Sequence, residues 1–181
     1  PIITKGGDLV NSVPADVRIE TYVRAKTMEA IEATHKKVDT ALKAGGDAVG
    51  AQTVIATMPG QLPLACNNRL NELFVTNAKI AEPNVAVKDA GHFSASTDMG
   101  DVSHLLPVIH PFIGGVDGFL HTADFHVVDF KHAVLLPAKA FAMMIVDLLA
   151  DDAELARQIK AEHHPLLTKE EYIAKLDKYF Q

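Results

Sequence analysis

A single cysteine, Cys66, stands among 181 residues, which excludes an intrachain disulfide and suits a reducing compartment. Positive charge is in deficit, with 17 Lys and Arg against 23 Asp and Glu and a net charge of -6. Phosphate-backbone binding needs a clustered positive surface, so nucleic acid is not an expected partner. Long hydrophobic runs are missing as well. The longest unbroken apolar stretch of the C-terminal part, Ala140 to Val146, is bounded by Lys139 and Asp147. It is far short of the ~20 residues that span a bilayer, so no membrane partner is expected. Pro1-Ile2-Ile3-Thr4-Lys5 runs straight into Gly6-Gly7 without a basic-then-apolar signal segment, and the expected compartment is the cytoplasm. Neither a His-x-x-x-His with a central Glu nor a Cys-x-x-Cys pair occurs, so there is no self-contained zinc motif.

What is present suits a folded chain. With 48% hydrophobic and 22% charged residues, low-complexity disorder is excluded. A chain of this length makes one large domain or two small ones and buries roughly 70% of its unfolded surface. Histidine is plentiful. Six of nine histidines fall between His92 and His132, together with Asp98, Asp101, Asp117, Asp124 and Asp129, and clustered imidazoles and carboxylates are what divalent metals need.

The pattern along the chain predicts an α/β or α+β organisation. Ile2-Ile3 and Leu9 to Val13 read as strands around a Gly6-Gly7-Asp8 turn, with Pro14 as a breaker. Val17 to Val23 alternates apolar and polar residues and predicts a half-buried strand. Thr27 caps a helix that Gly45-Gly46 should stop, and Ala48 to Thr57 reads as another strand. Met58-Pro59-Gly60-Gln61-Leu62-Pro63 breaks both periodicities and divides the chain. Beyond it, Asn67 or Asn68 caps a helix carrying Leu70, Leu73 and Phe74 that ends at Pro83. Residues 91–129 read as short strands joined by site-forming loops, and 133–150 as a strongly apolar helix that must be largely buried. Thr168-Lys169-Glu170-Glu171 is a capping box opening a last helix with Tyr172, Ile173, Leu176 and Phe180 as its packing residues. A strand at the very start needs sheet partners, so upstream chain is expected.

Three constellations bear on chemistry. Asn11 and Arg24 offer an amide and a planar two-pronged guanidinium suited to a carboxylate; the alternative is a turn asparagine and a surface arginine. Residues 96–103, Ser-Thr-Asp-Met-Gly-Asp-Val-Ser, either orient metal ligands or substrate through Asp98 and Asp101, or form a turn that satisfies its own backbone. His121 follows Gly114-Gly115 and Gly118 and precedes Thr122-Ala123-Asp124-Phe125. It is either a metal ligand or a histidine bonded within a loop. His92, His104, His110, His126 and His132 are structural or supporting groups, and Asp98 or Asp124 could orient a ligating imidazole. His163-His164 reads as a solvated helix end and Cys66 as a packed small residue.

Taken in order, Thr4-Lys5-Gly6-Gly7…Asn11-Ser12-Val13-Pro14…Tyr22-Val23-Arg24, Ala95 through Ser103, and His121-Thr122-Ala123-Asp124-Phe125 resemble the aminoacylase/glutamate-carboxypeptidase family of two-metal amidohydrolases. The similarity is to the amidohydrolase and aminobenzoyl-glutamate-hydrolase branch. It implies that 1–57 is part of a ferredoxin-like lid that dimerises, and 58–181 the C-terminal lobe of a mixed-sheet metallopeptidase catalytic domain. It further implies that Asn11 and Arg24 bind the substrate carboxylate and that His121 is the last metal ligand. The other ligands and the catalytic base are expected upstream, so no catalytic residue is assigned within this chain. The implied cofactor is a pair of zinc or manganese ions per intact active site, with none held by this chain alone. The implied substrate is an N-acyl amino acid or dipeptide-like molecule. The rival readings are a non-catalytic dimerising module and a histidine-rich metal-binding protein.

Overall fold

A computed structural model describes residues 1–89, 91 and 95–178, and divides the chain into two compact units, Pro1–Thr57 and Met58–Gln181. In the first unit, β1 (Ile2–Lys5) pairs antiparallel with β2 (Arg18–Glu20), Ile2 opposite Glu20 and Lys5 opposite Arg18. The partner of β1 is thus the alternating segment. Leu9 to Val13, expected as a strand, lies in the hairpin loop, where Ser12 N–H reaches Leu9 C=O across 3.4 Å. Asp16 fastens the loop base, accepting from Lys5 Nζ at 3.2 Å and Arg18 Nε at 3.0 Å. Val17 and Ile19 are 53% and 50% exposed, so the predicted half-burial of this strand is not met.

Helix α1 (Met28–Ala48) starts where Thr27 accepts a hydrogen bond from Ala30 N–H. It does not stop at Gly45-Gly46. The reason for glycine is visible after the helix: a Cβ on Gly46 would lie 2.0 Å from Thr53 Oγ1, so the glycine lets the returning chain pass close. Gly50 at φ +70° turns the chain instead. Residues 48–57 form no strand, because none of their backbone groups joins a ladder.

The second unit is built on two helices. Asn67 accepts from Leu70 N–H at 3.1 Å and opens α2 (Asn68–Ala81), which ends before Pro83. Helix α4 (Leu136–Glu162) continues from a wide π-type turn, Lys131–Leu135, and is interrupted by non-helical backbone at Ala150 to Ala153. The two helices pack through Leu70, Phe74 and Ala78 against Ala140, Met144 and Ile159, with Phe74 and Phe141 ring centroids 4.9 Å apart. One polar contact lies inside this interface: Asn77, 2% exposed, donates to Asp147 Oδ2 at 2.7 Å.

The expectation that 133–150 is largely buried is corrected, since Leu135, Ile145, Val146 and Leu149 are all exposed. Only the side toward α2 is covered. By length and composition the run Lys131–Glu162 could cross a membrane, with an 18-residue window of mean hydropathy 1.9 that is 17% buried. That window includes single charges, whereas the unbroken apolar stretch Ala140 to Val146 ends at Lys139 and Asp147.

Where a polar loop was expected, residues 99–103 form α3 (Met99–Ser103). Leu105-Leu106 and Val108-Ile109 form no strands; Val108 is buried and Ile109 packs on the core. The only strands of this unit, among the described residues, are β3 (Val116–Asp117) and β4 (His126–Val127), paired antiparallel. Thr168 and Glu171 complete the capping box of α5 (Lys169–Asp177). None of the residues of α5 is buried, Ile173 being 45% exposed, while Phe180 lies outside the described residues. The architecture is α+β, with two small antiparallel sheets beside longer helices.

Candidate functional site

The β3–β4 hairpin carries His121. Residues 118–125 close it, and the two glycines near its base are required by close packing. A Cβ on Gly118 (φ +88°) would sit 2.6 Å from Asp124 O, and one on Gly115 (φ +91°) would sit 2.6 Å from Asp129 O and 2.7 Å from Ala133 N. His121 itself has φ 66° and is exposed. A left-handed histidine is uncommon and needs surrounding structure to hold it. Here Thr122 Oγ1 lies 2.6 Å from Phe119 O and also contacts Asp124 Oδ1, while His126 Nδ1–H donates to Asp124 O at 2.6 Å. Asp124 therefore organises the loop that bears His121.

The hairpin joins α4 through Asp129. Its Oδ1 accepts from His132 N–H at 3.2 Å and its Oδ2 from His132 Nδ1–H at 2.6 Å. The His132 side-chain hydrogen bond holds the Asp129 carboxyl below the usual carboxylate range. Beside it, Lys131 pairs with Glu82, which is lowered in turn by that contact. Asp129 and His132 stand three residues apart at a helix start, a spacing that brings two side chains together and that the sequence carries as a usable signal.

Asp98 and Asp101 belong to a different structure. Asp98 stands at the start of α3 with Thr97 Oγ1 3.2 Å away. Ser103, 1% exposed, donates to Gly100 O at 2.6 Å and accepts from Ala65 N–H at 3.0 Å. His104, 5% exposed, donates Nε2–H to Pro63 O at 2.9 Å. A Cβ on Gly100 would lie 1.9 Å from Leu62 O. Asp101 accepts from Tyr172 Oη at 3.3 Å, and burial, ahead of that carboxylate, pushes the Tyr172 phenol up. Gly100, Ser103 and His104 thus pack on the 62–65 segment and Asp101 on α5, whereas Asp98 contacts only its neighbour Thr97. His110 rests edge-on against Phe112, and its Nδ1 is buried without a hydrogen-bond partner among the described residues. His163 Nε2 is likewise buried at the half-buried end of α4, so the expected solvated helix end holds for the exposed His164 and not for the His163 ring. Cys66 is half-buried and free; His92 lies outside the described residues.

In the first unit, Asn11 lies in the hairpin loop beyond the Lys5/Arg18 end, and Arg24 follows β2 beyond the Ile2/Glu20 end. The hairpin thus separates them toward its two ends. Arg24 is exposed, with its guanidinium carbon 5.0 Å from the Tyr22 ring centroid.

Among the described residues no group of three or more His, Cys, Asp or Glu side chains could hold a metal ion. A metal centre draws on at least three protein ligands, so the described residues do not by themselves fit one, and no chemical step follows from a metal here.

No family model matches the chain, and no solved structure matches it. It is 30% identical over 162 residues to the Xaa-Arg dipeptidase of Mus musculus, a match covering 85% of this chain and 38% of that protein. It is 26% identical over 180 residues to the Xaa-Arg dipeptidase of Homo sapiens, covering 95% of this chain and 41% of that protein. The chain spans about two fifths of the length of these curated relatives, and its similarity to dipeptidases agrees at a coarse level with the amidohydrolase resemblance.

Proposed function

We propose that this chain is part of a peptidase-class amidohydrolase that cleaves an amide bond beside a free carboxylate, with dipeptide-like or N-acyl amino acid substrates. The observation that carries this reading is its similarity to two Xaa-Arg dipeptidases across 85% and 95% of its length. In this reading the first unit is part of a lid and the second is part of a catalytic lobe. Arg24 supports a substrate-binding role because, among the described residues, its guanidinium makes no ion pair and stacks only on Tyr22. Its planar fork is therefore available to a carboxylate, and Asn11, at the other end of the hairpin, would contribute a separate contact to the substrate. His121 is offered by a hairpin loop that holds it exposed in a left-handed conformation. It would serve as one ligand of a divalent centre whose remaining ligands, and the general base, come from outside these residues.

The test is release of free arginine from Ala-Arg and from N-acetyl-arginine by the natural polypeptide that carries this chain, supplied with zinc or manganese. The expected result is turnover that His121→Ala abolishes. No release from either substrate, or release unaffected by His121→Ala, refutes the reading.

A further inference from the structure

Helix α4 breaks where its sequence gives no reason to break. Residues 150–157 read Ala-Asp-Asp-Ala-Glu-Leu-Ala-Arg, without glycine, asparagine or proline. Alanine, glutamate, leucine and arginine are strong helix formers, and the run follows directly on the helical Leu148 and Leu149. The backbone nevertheless turns extended at Ala150 (ψ 160°) and then left-handed at three successive residues, Asp151 (φ 48°), Asp152 (φ 59°) and Ala153 (φ 60°). In that region Cβ crowds the following carbonyl oxygen. Residues other than glycine visit it singly, and Ala153 lacks the polar side chain that lets an aspartate settle there. Little at the break itself holds it. None of residues 150–154 is buried, and the pairs of Arg157 with Asp152 and Glu154, at 3.1 and 3.4 Å, lie on the surface, where such pairs contribute little.

What the break secures lies beyond it. Residues 154–162 resume the right-handed helix, and Ile159, 3% exposed, joins the core cluster with Leu70 and Phe74 of α2. Leu155 packs against the same cluster, and Arg69 Nη1 donates to Glu162 Oε2 at 2.6 Å. Local preference and tertiary packing therefore pull in opposite directions at one short stretch of chain. We propose that residues 150–153 are a strained joint and 154–162 a strap with two positions. Closed, the strap holds Ile159 in the cluster. Open, the joint relaxes to ordinary backbone and the strap leaves α2, while α2 and residues 136–149 stay together through Phe74, Ala78, Ala140, Met144 and the Asn77–Asp147 contact. A few residues at the end of an element absorb the whole change in φ and ψ, as in a hinge. Strain stored there is relieved on opening, so the strap opens ahead of the rest of the unit. This switch does not depend on the hydrolase reading.

Hydrogen exchange of the natural polypeptide that carries this chain, read by mass spectrometry, tests the proposal. Amides of residues 158–163, the last being the His163 N–H bonded to Ile159 C=O, should exchange at least about tenfold faster than those of 140–149. Ala153→Gly removes the Cβ from a left-handed position and should slow exchange at 158–163 by roughly five- to thirtyfold. Asp151→Gly, at an exposed position, should act in the same direction. Lys160→Gly, exposed but in right-handed helix, should speed the same amides, because glycine there only weakens the helix. One common rate for 158–163 and 140–149 would show that the strap does not open by itself, and overturns the proposal. Unchanged or faster exchange at 158–163 in Ala153→Gly and Asp151→Gly would show that the joint stores no strain, and overturns it equally.

Discussion

Asn77 offers a quantitative test of how the second unit holds together. Its amide is 2% exposed and donates to Asp147 Oδ2 at 2.7 Å, bridging α2 and α4, and to Leu73 O at 3.1 Å within its own helix. The second bond contributes little, because Leu73 C=O also accepts within the helix backbone. The first reaches a carboxylate, and hydrogen bonds to charged groups contribute about 1.5–3 kcal/mol. Asn77→Ala also leaves a small void at a buried position. The total loss should be about 2–3 kcal/mol. Asp147→Asn keeps the geometry but removes the charge, and should lose about 1 kcal/mol. The double variant should lose less than the sum of the two, since both remove one contact. Urea unfolding followed by circular dichroism reads these differences. A loss under about 0.5 kcal/mol for Asn77→Ala, the range of ordinary surface changes, would show that this contact does not join the helices energetically.

Asp129 makes a pH prediction. Its carboxyl is lowered by His132, so the stabilisation is present above the unfolded value and lost as pH falls through the folded one. Wild type should exceed Asp129→Asn in urea midpoint near pH 7, and the difference should shrink steadily in the acid range; a gap that widens there refutes the pairing. Gly45→Ala, with nothing within 4 Å of the added Cβ, should stabilise α1 by about 0.5–1 kcal/mol. Gly100→Ala drives a Cβ into Leu62 O and should cost roughly 3 kcal/mol, and thermal melts distinguish the two directions. On the proposed hydrolase reading, Arg24→Ala in the full polypeptide should lower kcat/KM by roughly ten- to two-hundred-fold, Arg24→Lys should recover part, and metal content should stay the same. Equal losses on an acid substrate and its amide would refute carboxylate recognition.

Much of the secondary structure was legible because its signals are local. Thr27, Asn67 and Thr168 each accept from an N–H three residues on, and Pro83 cannot continue a helix, so a short window of sequence sets those boundaries. The ordered motifs around Asn11, Arg24 and His121 were likewise readable as types of side chain at fixed spacing. Tertiary structure decided the rest. Strand pairing is non-local, so β1 chose residues 18–20 over the nearer Leu9 to Val13. Gly46 marks a close pass of Thr53, seven residues away, and not a helix end. Ser103 and His104 became buried anchors because they meet Ala65 and Pro63 far along the chain. Periodicity showed that α4 is apolar, but which of its sides is covered depends on the single helix packed against it, and no local pattern encodes that.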